Sequence, residues 1–77
     1  MKILKVKAIW DDEAKVWVAT SEDLPGLVTE TDTSEVLIEK LKILIPELLE
    51  ANGILKTGTH GEISFHLVSE REAKAFL

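Results

Sequence analysis

Asp11, Asp12 and Glu13 stand in a row and are the obvious first place to look for acid–base chemistry. Carboxylates do such work when two of them face one cleft with their pKa values pushed apart. Consecutive residues at a turn splay into water instead, so a solvated turn is the stronger reading. They also lack the alternating ligands and spaced acidic residue of a calcium loop. His60 and His66 are the two histidines. One falls in a loop and the other on a strand, with no further ligands at metal spacing. His60 beside Gly61 reads as a turn residue, and His66 as a surface or interface residue. Thr57-Gly58-Thr59-His60-Gly61 has two glycines and no following helix, which makes a poor phosphate cradle. No Gly-x-Ser-x-Gly elbow occurs. The residues point to no catalytic site, no metal and no cofactor. An enzyme survives as a reading only if an oligomer builds a site between chains from Asp11, Asp12 or His60.

Contact chemistry is better represented. Lys5, Lys7, Trp17 and His66 are expected on one sheet face, with Ile3, Ile9 and Val68. Lysines beside an aromatic suit single-stranded RNA, which stacks its bases on such rings. They suit a protein interface equally, where Trp is a frequent anchor. Val36 and Ile43 fall off the core face of a helix and are apolar. They are expected to form a second patch, an oligomer contact such as a homodimer.

The elements that must carry these residues follow from periodicity. Lys2 to Trp10 alternates, with Leu4, Val6, Ala8 and Trp10 on one side. Lys15 to Ser21 alternates again, with Val16 and Val18 on one face and Trp17 and Ala19 on the other. The short acidic link between the runs predicts a β-hairpin. Pro25-Gly26 predicts a type II turn, since Pro presets φ and Gly accepts a positive one. Leu27 to Thr31 is the third strand. From Thr33 to Asn52, Leu37, Ile38, Leu41, Leu44, Ile45, Leu48 and Leu49 share one broad helical face at about 100° per residue. Asp32 or Thr33 caps this helix, with Asp32 and Glu35 at capping-box spacing. Pro46 falls on the solvent side and predicts a kink, and Gly53 ends the helix. Glu62 to Val68 is the fourth strand, with Ile63, Phe65 and Leu67 inward. Ser69 with Glu72 repeats the capping pattern and predicts a short terminal helix over 70–77, anchored by Phe76 and Leu77.

These elements give an α+β fold in the order β-β-β-α-β, one domain over residues 1–77. A right-handed crossover puts the fourth strand parallel to the first. The expected mixed four-stranded sheet has order 3-2-1-4, with one long helix on one face. At 77 residues, folding buries only about 60% of the chain's accessible surface, so good packing or a partner matters. The net charge of −5 and pI near 4.9 disfavour general nucleic-acid binding. They suit a basic partner or a soluble surface. The absence of cysteine is compatible with a reducing cytoplasm. Lysines interrupt the first strand, which argues against a signal peptide. No apolar run approaches the roughly 20 residues of a membrane span.

Four segments carry a resemblance. Trp10-Asp11-Asp12-Glu13, Val16-Trp17-Val18-Ala19, Asp23-Leu24-Pro25-Gly26-Leu27 and Thr31-Asp32-Thr33 together resemble the HicB-like antitoxin superfamily. The match is closest to its short prokaryotic branch of unknown function, over roughly residues 3 to 70. The resemblance implies a partial ribonuclease-H-like fold. It also implies a protein partner, a small basic RNA-cleaving toxin whose active site the antitoxin covers. Full HicB antitoxins add a C-terminal DNA-binding segment. This sequence stops at Leu77, so no DNA binding by this chain alone is expected. A ribonuclease-H site gathers carboxylates around two metal ions from the first strand onward. Lys2 to Trp10 supplies none, and a fold without its ligands does not carry the reaction. The expectation is a non-catalytic, cytoplasmic binding module that neutralises a toxin. Its contacts would be Lys5, Lys7, Trp17 and His66, and its oligomer patch Val36 and Ile43. The alternative is an RNA-binding domain using the same sheet face.

Overall fold

Period-two alternation builds the first strand, β1 (Leu4–Asp11), and its hairpin partner β2 (Val16–Thr20). β3 (Val28–Thr31), α1 (Ser34–Ala51) and β4 (Phe65–Glu70) follow. The structure is a computed structural model that describes residues 3–54 and 61–77. The sheet order is β3-β2-β1-β4. β1–β2 and β2–β3 are antiparallel, and β4 lies parallel to β1. The α+β architecture expected from the sequence is the one observed.

The β1–β2 loop is locked by the carboxylate of Asp11, the last residue of β1. Asp11 Oδ1 accepts the Glu13 and Ala14 N–H groups at 3.0 and 3.1 Å. Lys15 then takes a left-handed φ of 58° and donates its N–H to the Asp11 carbonyl at 2.8 Å. The Pro25-Gly26 turn forms as expected. Leu27 N–H reaches the Leu24 carbonyl at 3.2 Å, and Gly26 has φ 88°.

Thr33 is the N-cap, its hydroxyl accepting from Val36 N–H at 3.2 Å. Asp32 is therefore not the cap, and the Asp32–Glu35 box is not used. α1 runs unbroken through Pro46, which is half-buried rather than turned to solvent. At the other end Gly53 (φ 71°) donates to Glu50 and Ile54 donates to Leu49. Those two bonds are a Schellman motif.

α1 buries Leu37, Leu41, Ile45 and Leu49 at a strict four-residue spacing. That stripe is narrower than the face expected from the sequence: Leu44 and Leu48 are half-buried, and Ile38 is exposed. The sheet contributes Val6, Ala8 and Ala19 to the core. Leu24 and Leu27, flanking the Pro-Gly turn, complete it. Asn52 Nδ2 donates to the Pro25 carbonyl at 3.0 Å and pins this turn to the end of α1.

Two expectations for the C-terminal part fail. β4 begins at Phe65 rather than Glu62, and 71–77 has no regular structure. Ser69 cannot cap a helix because it sits in the ladder opposite Ala8. Phe76 and Leu77 are exposed, not anchors.

Candidate functional site

One face of the sheet lies under α1 and the other carries no layer among the described residues. Register assigns the open face. Lys7 lies opposite Thr20 and Val68, Ile9 opposite Val18 and Glu70, and Lys5 opposite His66. Val28 and Glu30 extend the same face onto β3, opposite Thr20 and Val18. The result is a mixed face: Val28, Thr20, Lys7 and Val68 form one row across the four strands, and Glu30, Val18, Ile9 and Glu70 the next. Ile9, Val28 and Val68 are 50, 71 and 52% exposed, and Ile3 is 43% exposed. Lys7 Nζ lies 3.5 Å from Glu70 Oε1, with both side chains more than half exposed. A pair that exposed adds little stability.

Grooves of about 360 and 490 Å³ run along this face. The first lies between Lys5, Lys7, Thr20, Asp23 and Glu70. The second reaches Ile9, Val18 and the carboxylates of the hairpin. Where β2 leaves β1, two side chains take over the ladder. Asp23 Oδ2 accepts Lys5 N–H at 2.9 Å, and Ser21 Oγ donates to the Lys5 carbonyl at 2.6 Å.

Lys5, Lys7 and His66 therefore share the open face as expected, but Trp17 does not. Trp17 lies opposite Trp10, on the α1 side of the sheet, and packs against the core. The two indoles meet edge to face at 5.3 Å and 64°. The hairpin loop is four residues long, between Asp11 and Val16. An even loop keeps Trp10 and Trp17 on one face, because opposed residues share a side. Valines at 16 and 18 mimic a core set in the sequence, and they are the ones turned to the open face.

The aromatic pair forms its own cluster at this end of the sheet. The Arg71 guanidinium lies 4.3 Å from the Trp10 ring centroid, a cation–π contact. Trp10 Nε1 donates to Asp12 Oδ1 at 3.3 Å, and Lys15 Nζ donates to the same oxygen at 3.1 Å. The Lys15 hydrogen bond, then that of Trp10, hold the Asp12 carboxyl below its ordinary pKa. Arg71 gives no sequence signal for this contact, since it lies far from Trp10 along the chain.

Asp11 and Asp12 are thus both occupied in shaping the turn. His60 lies outside the described residues. Among the described residues no group of three or more His, Asp or Glu could hold a metal ion. Val36 and Ile43 are 51 and 64% exposed. They lie about 20° apart around the helix axis, on the outer side of α1 away from the sheet. The structure therefore separates this patch from Lys5, Lys7 and His66 by the thickness of the molecule.

A family model described as a domain of unknown function (DUF1902) matches residues 3–77. The crystal structure of a hypothetical protein from the extremely thermophilic bacterium Thermus thermophilus is 45% identical. It superposes with a TM-score of 0.71 over 99% of this chain and 100% of that one. None of the curated proteins matches.

Proposed function

The chain belongs to the DUF1902 family, a domain of unknown function, and we propose that it is a small non-catalytic protein-binding module. Its recognition surface in this reading is the sheet face opposite α1. One observation carries it: Ile9, Val28 and Val68 are each at least half exposed on one flat face, interleaved with Lys5, Lys7, His66 and Glu70. Exposed apolar side chains set among charged ones, on a sheet face without a covering layer among the described residues, suit a protein partner that offers both kinds of contact. The HicB-like sequence resemblance supplies the partner class, a small basic RNA-cleaving toxin. The net charge of −5 suits such a partner and would speed its capture. A cytoplasmic setting goes with this reading.

The RNA-binding alternative is weaker. Stacking needs an aromatic platform beside the lysines. Trp17 is on the α1 side, which leaves His66 as the open face's ring system.

The test starts from the genes flanking this one: a small basic RNA-cleaving protein encoded there is expected, and its absence counts against the toxin reading. RNA cleavage is measured with increasing amounts of the purified chain. Stoichiometric inhibition is expected, and Ile9→Lys should weaken it, with roughly a thirtyfold loss of affinity, while the circular dichroism spectrum stays unchanged. Undiminished cleavage, or inhibition indifferent to Ile9→Lys, overturns the reading.

A further inference from the structure

We propose that the free edge of β4 pairs antiparallel with the β4 of a second copy, joining two sheets into one of order 3-2-1-4-4-1-2-3. The inference concerns the sheet's edge and stands independently of the toxin reading. β4 leaves one set of its main-chain groups on the side away from β1. Leu4 N–H donates to the Ser64 carbonyl at 3.2 Å, and alternate residues of a ladder face the same neighbour. Ser64, His66 and Val68 therefore face β1. Phe65, Leu67 and Ser69 turn their N–H and carbonyl groups outward.

Elsewhere the chain covers such groups. Asp23 and Ser21 occupy Lys5 where β2 departs. At the other edge β3 is four residues long, and Lys40 Nζ donates to its Glu30 carbonyl at 3.2 Å. Short strands and lysines are the usual protection of an edge. β4 is six residues long. Among the described residues no side chain or backbone group reaches the outward edge of Phe65, Leu67 or Ser69. An exposed edge of this length recruits another strand.

The occupant is a second copy because β4 is complementary to itself. A two-fold axis through the Val68 pair sets His66 opposite Glu70 of the second copy, and Leu67 opposite its Ser69. An imidazole N–H donor then faces a carboxylate acceptor across the strands, a favourable cross-strand pairing. Moving the axis to Leu67 sets Glu70 against Ser64, and moving it to His66 sets two histidines face to face. The Val68 register makes about four backbone hydrogen bonds through Leu67 and Ser69. It also places both copies of α1 on one side, flanking the half-buried Phe65 and Leu67. The interface is isologous and closed, so it stops at a dimer.

The absence of native cysteine makes the register directly readable. In the proposed dimer the two Val68 Cα atoms lie about 4.5 Å apart, within disulfide reach. The two His66 Cα atoms lie about 14 Å apart, out of reach. Under mild oxidation Val68→Cys should cross-link at least about tenfold faster than Val28→Cys, an exposed position at the far edge. His66→Cys should cross-link no faster than that control. Ser69→Pro removes an outward N–H and leaves the β4–β1 ladder intact. It should weaken dimerisation at least about tenfold in sedimentation equilibrium. A monomeric native chain across the micromolar range overturns the proposal. So does a dimer that Ser69→Pro leaves intact, or equal cross-linking of the Val68→Cys and Val28→Cys variants. The cross-link decides even where Ser69→Pro does not fold.

Discussion

Ala8 lies directly opposite Ala19 in the β1–β2 ladder, and both are fully buried. Leu37, Leu41 and Ile45 of α1 belong to the same core. Two methyl groups at the centre of the sheet let the helix approach closely. Ala8→Leu should therefore destabilise by about 1–3 kcal/mol through overpacking. Urea titration checks this. The same substitution at Thr20, exposed on the opposite face, should change stability by less than about 0.5 kcal/mol.

Trp17 is held between Trp10 and the core, so its removal is a packing loss. Trp17→Ala should cost about 2 kcal/mol, less than a fully buried Trp because Trp17 is only half-buried. Thermal unfolding measures it. An unchanged melting temperature would sink the assignment of Trp17 to the α1 side.

The fate of Trp17 shows where sequence reading stops. Strand alternation is legible, since period two survives in β1 as Val6 and Ala8 inward and Lys5, Lys7 and Ile9 outward. The phase of one strand against the next is not read from either strand alone. It depends on the parity of the hairpin loop and on which of two apolar sets a neighbour can bury. Val16 and Val18 are as apolar as any core pair, yet Ala19 fits beneath α1. The same competition explains the missing terminal helix. Ser69 and Glu72 carry a local capping signal, but Ser69 is claimed by a ladder with a strand far away in sequence. Lys5, Lys7 and His66 fall together because they lie on β1 and β4, whose parallel pairing follows from the crossover.

Gly26 combines a φ of 88° with a position against Leu48: a Cβ built there lies 3.8 Å from Leu48 Cδ2. The contact is ordinary, so the cost of Gly26→Ala is backbone strain alone. About 1–2 kcal/mol is expected. Asn52→Ala removes the bond to the Pro25 carbonyl and should cost about 1 kcal/mol. Denaturant midpoints of the two single variants and the double variant measure both. Because the two sites share one turn, the double variant should fall short of the sum.

Asp12 gives the hairpin a pH dependence. Lys15 first, then Trp10, stabilise the ionised carboxylate and lower its folded pKa below 3.8. A depressed folded value means that the contribution is complete above the unfolded pKa. It fades as pH falls below about 4 and is gone once pH passes the folded value. The Trp10 indole N–H resonance reports it directly, because that group donates to Asp12. The resonance should move in this acid range and stay fixed in Asp12→Asn.

The open sheet face and the Val36–Ile43 patch lie on opposite sides of the molecule, and that geometry separates their roles. Ile9 is half exposed on the open sheet face, whereas Ile43 is 64% exposed on the outer side of α1. Neither belongs to the buried core, so Ile9→Lys and Ile43→Lys should each leave stability within about 0.5 kcal/mol. Binding should respond differently. A truncated or charged anchor at the centre of an interface costs about 2 kcal/mol or more, roughly a thirtyfold loss of affinity at Ile9 on the present reading. Ile43→Lys should leave toxin affinity within about twofold, since no open-face residue reaches it. Isothermal titration of both variants against the same ribonuclease decides between the faces. A loss at Ile43 with none at Ile9 would move the recognition surface from the sheet to the helix.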